Sequence, residues 1–208
     1  MMRTMLLSLL AVAACGAAPA ARDNSPAPLP TPAAGQAAAV FAGGCFWCVE
    51  SDFDKAPGVM STTSGFAGGK TQNPTYGQVA SHTTDQIESV YVVYDTSKTS
   101  YDALLDYFWH HIDPTDSGGQ FCDRGDTYRP AVLYLDETQH KAADASKAAL
   151  EARKVLPGPV VAEVSPAIRF WPAEEYHQDF HDKESTHYMM YRTGCGRDAK
   201  VKQIWSKQ

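Results

Sequence analysis

The stretch AAAVFAGGCFWCVESDFDK, residues 37–55, decides how the chain begins to fold. AAAVFA is an apolar run of strand length, and Gly43-Gly44 closes it as a turn. From Cys45 to about Lys55 the period changes. Phe46, Val49, Glu50 and Phe53 recur at helical spacing, and Ala56-Pro57-Gly58 ends the run. A buried strand that turns through two glycines into a short helix is expected, with Cys45 at the helix tip. Cys45 and Cys48, separated by Phe46 and Trp47, admit a redox disulfide, a metal site, or a nucleophile beside an apolar pocket.

Working outward, IESVYVVYD (87–95) partly alternates and is rich in β-formers, so it reads as a strand. SYDALLDYFWHHID (100–113) sets Tyr101, Leu104, Leu105 and Phe108 at helical spacing behind Ser100 as N-cap. PAVLYL (130–135) and VVAEV (160–164) read as strands. DETQHKAADASKAALEARKVL (136–156) reads as an exposed helix stopped by Pro157-Gly158-Pro159, and AEEYHQDFHDKES (173–185) as a final short helix. This irregular interleaving predicts an α+β fold, a two-layer α/β sandwich with a mixed β-sheet.

The first residues, MMRTMLLSLLAVAAC, combine a basic start with an apolar run of about ten residues, the length of a secretory signal rather than a bilayer span. VAAC (12–15) resembles a bacterial lipobox, and cleavage after Ala20 is the alternative. The expected division is a lipoprotein-type signal peptide over 1–14, an Ala/Pro-rich tether over 15–38, and one catalytic domain over 39–208. The product is expected to be exported to the periplasm and tethered to a membrane through a lipid on Cys15. With 18 Lys and Arg against 24 Asp and Glu, the net charge of −6 gives no positive face for a nucleic-acid partner. A monomer with no bound cofactor is expected.

Cys45 at a helix N-terminus faces unpaired N–H groups and the positive dipole end. Both should lower a free-thiol pKa of about 8.5 toward neutrality. A metal module is one rival: Cys45 and Cys48 with His177 and His181, spaced i, i+4, form a formal Cys2His2 set. Bulky aromatics inside the Cys-x-x-Cys loop oppose it, and both histidines read better as surface or substrate-rim residues. A thioredoxin-like thiol-disulfide oxidoreductase is the other rival.

The motif GCFWCVE (44–50) resembles the signature of the A-type peptide methionine sulfoxide reductases. So, in the same order, do GFAGGKTQNPTYGQV (65–79), IESVYVVYD, FWHHIDPT (108–115), GGQFCDRGDTYRP (118–130), AEEYHQDF (173–180) and YRTGCGRD (191–198). The resemblance covers roughly residues 39–205. It implies a ferredoxin-like core with a long irregular C-terminal tail, and reduction of the S epimer of methionine sulfoxide, free or in oxidised proteins and peptides. It also implies the roles. Cys45 is the nucleophile, Glu88 the acid, Tyr76 and Tyr128 the hydroxyl donors to the sulfoxide oxygen, and Asp123 a supporting carboxylate. Phe46 and Trp47 hold the S-methyl group. Without the resemblance, Glu88 would read as a solvated carboxylate and the tyrosines as packing residues.

The resulting sulfenic acid needs a second thiol. Cys195, flanked by glycines, is the preferred resolving residue, and Cys48 is the alternative. Cys122, beside Asp123, is expected to be a small buried filler, with a place near the site as a further resolving thiol as the alternative. A thioredoxin-like protein is the expected reductant. Phe66, Gln86 and Pro130 depart from the residues common in the family, and none of them removes a proposed catalytic group.

Overall fold

The computed structural model describes residues 31–207. The expected signal peptide, Cys15 and most of the expected tether lie outside the described residues. In chain order the elements are β1 (Gln36–Ala42), α1 (Phe46–Phe53), β2 (Val59–Ala67), α2 (Tyr76–Ala80), β3 (Ile87–Asp95) and α3 (Tyr101–Trp109). They continue with β4 (Gly119–Gln120), β5 (Asp123–Arg124), β6 (Ala131–Tyr134), α4 (Glu137–Arg153), β7 (Glu163–Pro166), β8 (Trp171–Pro172), α5 (Phe180–Lys183), α6 (Ser185–Cys195) and α7 (Arg197–Ile204).

The main sheet runs β7-β6-β1-β3-β2-β8. Only β6 and β7 pair in parallel, so the sheet is mixed, as expected. Its centre, β6-β1-β3-β2, is built by the path β1-α1-β2-β3-α3-β6, which is the ferredoxin-like split βαβ arrangement. The period-2 rule separates the two faces. Ala39 and Phe41 of β1 and Val90 and Val92 of β3 meet the helices α1, α3 and α4, whereas Ala38, Val40, Tyr91 and Val93 face the opposite, smaller cluster with Phe170. Phe41 stacks on Phe53 at 4.7 Å and on Phe108 at 5.1 Å, which seats α1 and α3 on the sheet. Burying each such ring stabilises the fold by about 1.5–3 kcal/mol.

Gly44 has φ +83°, and a Cβ there would lie 2.6 Å from Cβ of Gln120. The turn therefore needs glycine twice over, for its backbone angle and for the close approach of the β4 loop.

The C-terminal region is helical, which corrects the expectation of an irregular tail. α6 and α7 meet at Gly196 in the left-handed region (φ 69°), and Arg197 is buried beneath them. Arg197 donates to the carbonyls of Gly43 at 2.9 Å and His111 at 3.0 Å, so the tail is pinned to the turn before Cys45. The stretch 173–185 is also not one helix. A 3-10 turn at Glu175–His177 is separated from α5 by Asp179 at φ 51°. Glu50 anchors that break: it is fully buried, and its carboxyl oxygen accepts from the Asp179 N–H at 3.1 Å.

Candidate active site

Cys45 is the N-cap of α1, with backbone angles outside the helical region. The next N–H, that of Phe46, donates to Glu88 Oε2 at 2.9 Å, so the glycine turn and β3 aim the thiol and the carboxyl at one place. Glu88 sits opposite Phe66 of β2 in the ladder and is 2 % exposed. Burial, with Asp123 and Cys48 nearby, pushes the Glu88 pKa up to about 8 against the opposing Phe46 N–H bond, so the group is a carboxylic acid at neutral pH.

Cys45, Phe46, Trp47, Tyr76, Glu88, Asp123, Tyr128 and Tyr191 line a cavity of about 70 Å³. All the catalytic and substrate-holding residues proposed from the sequence therefore meet at one cavity. Asp123 is half-buried and accepts from the backbone N–H of Cys45 and from the Tyr191 hydroxyl, the latter at 2.6 Å. Burial, with Glu88 and Cys45 close by, raises the Tyr76 phenol to about 12, and Tyr128 is raised in the same way. Both remain O–H donors across the working pH range. A larger cleft, about 490 Å³, is lined by Asp52, Arg192 and Asp198, where Arg192 pairs with both carboxylates. It contains none of the catalytic groups proposed from the sequence.

The thiol does not behave as its helix position alone dictates. Burial pushes the Cys45 pKa up, and the neighbouring Cys48, Glu88 and Asp123 add to the rise. This corrects the expectation of a lowered value: loss of water outweighs one short helix's dipole. Cys45 donates to Cys48, whose own pKa is lowered by that bond and by the Arg197 and Arg192 guanidiniums.

Cys122 is exposed and forms a disulfide with Cys195. It is not a buried filler; a two-residue ladder, β4 with β5, turns it out toward α6. The structure brings Cys195 to Cys122 and leaves Cys45 and Cys48 as free thiols.

His177 corrects another expectation. It is buried, and its Nδ1 accepts from the Trp47 indole N–H at 3.1 Å while its ring lies 5.0 Å from Phe46. His181 instead faces Asp54 at 3.4 Å. The break in the helix at Asp179 sends the two histidines apart, so the Cys2His2 set is not assembled. The ligand atoms of Cys122, Asp123 and Cys195 do lie within 4.8 Å of one another, but both sulfurs are consumed in the disulfide. Trp47 stacks on Phe180 at 3.8 Å and 7°, which fixes one aromatic wall of the cavity.

Sequence reasoning missed Tyr191, His177 as a support for Trp47, and the buried cluster of Asp52 with Arg192 and Arg197. Tyr191 and His177 do fall inside two of the quoted motifs, YRTGCGRD and AEEYHQDF, and that was the available signal.

A helix-tip cysteine facing a protonated carboxyl, with two phenols, an aromatic wall and a disulfide at its edge, defines a thiol-dependent oxidoreductase. The family model "Peptide methionine sulfoxide reductase" matches residues 37–208. The peptide methionine sulfoxide reductase MsrA of Bacillus licheniformis is 45% identical over 170 residues, 82% of this chain and 94% of that protein. The corresponding Listeria innocua protein is 48% identical over 167 residues, 80% of this chain and 94% of that one. The solved methionine sulfoxide reductase A of Corynebacterium diphtheriae superposes with a TM-score of 0.66 at 29% identity, covering 79% of this chain and 88% of that one. The chain belongs to the peptide methionine sulfoxide reductase family.

Proposed function

We propose that the protein reduces the S epimer of methionine sulfoxide, free and in oxidised proteins or peptides, back to methionine. One observation carries this: a protonated Glu88 and the Cys45 thiol share a small aromatic cavity, linked through the Phe46 N–H at 2.9 Å. A sulfoxide sulfur is a poor electrophile until its oxygen is protonated, so an acid and a sulfur nucleophile must act together.

The S-methyl group lies against Phe46 and Trp47, and the oxygen points toward Glu88, Tyr76 and Tyr128. Glu88 gives its proton to the oxygen as Cys45 attacks the sulfur, the Cys45 S–H proton passes to the carboxylate so formed, and the phenols stabilise the developing charge. Methionine leaves and the oxygen stays on Cys45 as a sulfenic acid. The net change is thiol plus sulfoxide giving sulfenic acid plus thioether. Asp123 holds the Cys45 backbone and the Tyr191 hydroxyl at the mouth of the site. Cys48, hydrogen-bonded to Cys45, is the first thiol placed to condense with the sulfenic acid. A thioredoxin-like protein supplies the electrons.

The leader supports export to the periplasm, with a lipid on Cys15, an Ala/Pro-rich tether over 15–38 and a single, monomeric catalytic domain over 39–208. Among the described residues no helix is long and apolar enough to cross a membrane.

The test supplies purified protein and dithiothreitol with each epimer separately. Conversion of the S epimer that disappears in Cys45→Ser is expected. Conversion of the R epimer, or turnover that survives Cys45→Ser, would refute the assignment.

A further inference from the structure

Trp47 is gripped from two sides. Its indole N–H donates to His177 Nδ1 at 3.1 Å, and its face stacks on Phe180 at 3.8 Å and 7°. Both partners come from one short stretch, 177–180, so that stretch decides how firmly the aromatic wall of the cavity stands. Gln178 ties it to β2, accepting from the Ser64 N–H at 2.8 Å and donating to the Ser64 carbonyl at 2.9 Å. Asp179 is left-handed at φ 51°, a conformation that persists in a non-glycine residue only when its surroundings hold it. Glu50 supplies the hold. Its Oε2 accepts from the Asp179 N–H at 3.1 Å, and it lies on α1 three residues beyond Trp47, on the same side of the helix. The carboxyl is fully buried, and the reaction at Cys45 makes no use of it. Around it stand Asp54 at the end of α1, Asp179 in the turn and the Ser64 hydroxyl of β2. His181 and Lys183 face Asp54 and Asp179, and Arg192 and Arg197 pair with Asp52. Burial, with the two neighbouring carboxylates, raises the Glu50 pKa to about 8, so at neutral pH a neutral acid closes the turn.

We infer that Glu50 is a positioning residue for substrate selection: by locking the Asp179 turn it holds His177 and Phe180 against Trp47, and so keeps the wall tight enough to prefer an S-methyl sulfoxide over a larger S-alkyl one. The inference rests on the seat proposed for the methyl group against Phe46 and Trp47. The cavity is only about 70 Å³, so an added methylene presses on that wall. The wall yields only if the 177–180 stretch yields with it. One helix carries both the indole and the acceptor that fixes the turn behind it, so the two cannot drift apart while the Glu50–Asp179 bond is made. Ionised Glu50 would add a buried negative charge beside Asp54 and Asp179, which loosens the turn. Selection is therefore complete while the acid form persists and falls as pH rises through about 8.

The test is the ratio of kcat/KM for methionine S-sulfoxide to kcat/KM for its S-ethyl homologue, with dithiothreitol as reductant. The chemistry of Cys45 and Glu88 is common to both substrates and cancels in the ratio. One methylene in an apolar pocket is worth roughly 10–200-fold, so wild type should prefer the methyl compound by at least about tenfold, and Glu50→Ala should cut that preference about fivefold. In Glu50→Gln the amide oxygen still accepts from the Asp179 N–H. It should keep the wild-type ratio at neutral pH and hold it as pH rises past about 8, where the wild-type ratio falls. Phe180→Leu should lower the ratio by a similar factor, and Glu50→Ala/Phe180→Leu no further, because both changes act on one contact. A wild type without methyl preference, an unchanged ratio in Glu50→Ala, losses that multiply in the double variant, or a glutamine variant that falls with pH as wild type does would each overturn the inference. Should Glu50→Ala fail to fold, the glutamine comparison across that pH range decides alone. A wild type that reduces neither sulfoxide would instead mean that the reaction assigned to Cys45 is wrong, and the selection would fall with it.

Discussion

Replacing Glu88 with glutamine isolates the proton from everything else the residue does. The amide has nearly the same size, and its oxygen can still accept the Phe46 N–H that the carboxyl accepts at 2.9 Å. It cannot give up a proton at neutral pH. A positioned general acid is worth roughly 10²–10⁴-fold, which at about 1.36 kcal/mol per decade is about 3–5 kcal/mol of barrier. Methionine release in a single turnover, measured by rapid quench, should therefore slow by about that factor. The pH profile gives an independent check. Burial raises the Glu88 pKa to about 8, so the acid form is present below that value and the rate it supports falls as pH rises through it. The glutamine variant should lose this alkaline limb. Stability follows the same proton. The folded state binds it more tightly than the unfolded chain, whose value is near the ordinary 4.5, so Glu88's contribution is complete below that and is lost as pH rises toward 8. Denaturation of the variant should show a smaller decline, because buried Glu50, also raised to about 8, keeps its own part of it. A single-turnover rate within about threefold of wild type, with an unchanged pH profile, would refute Glu88 as the acid.

Trp47→Phe keeps a ring against Phe180 but removes the donor to His177, a bond of 3.1 Å. With about 1 kcal/mol lost in orienting the methyl wall, KM should rise about fivefold while kcat changes less, and steady-state kinetics check the split. Asp52→Asn leaves the Arg192 and Arg197 guanidiniums without the carboxylate that they meet at 2.8 and 3.5 Å. Removing one partner of a buried ion cluster costs about 3–5 kcal/mol, so the urea midpoint should drop while the slope stays unchanged.

Much of the fold was legible because its signals are local. β3 runs from Ile87 to Asp95, as its β-branched and aromatic residues indicate, and Ser100 caps α3 by accepting from the Ala103 N–H at 3.1 Å. The strand–glycine–helix passage around Cys45 was equally plain. β2 was not, because VMSTTSGFA is rich in small polar residues and becomes a strand through its pairing with β3. The C-terminal helices escaped because Arg197, which ties them to the Gly43 and His111 carbonyls, makes long-range contacts that no local pattern announces. The site residues were found through motifs; spacing alone left Glu88 and both tyrosines as surface or packing groups. The raised pKa of Cys45 was out of reach, since it depends on burial by distant segments. The pairing of Cys122 with Cys195, 73 residues apart, likewise exists only in three dimensions.

The transfer of oxygen onto one sulfur can be seen directly. A chain with Cys48, Cys122 and Cys195 all changed to serine keeps Cys45 as the only thiol of the folded domain, and no neighbour can condense with it. Treated with S-sulfoxide and dimedone, then digested for mass spectrometry, it should carry the sulfenic-acid adduct on Cys45 in step with one methionine released per chain. Methionine released without any adduct on Cys45, or an adduct that forms equally well without sulfoxide, would contradict the chemistry assigned to that residue.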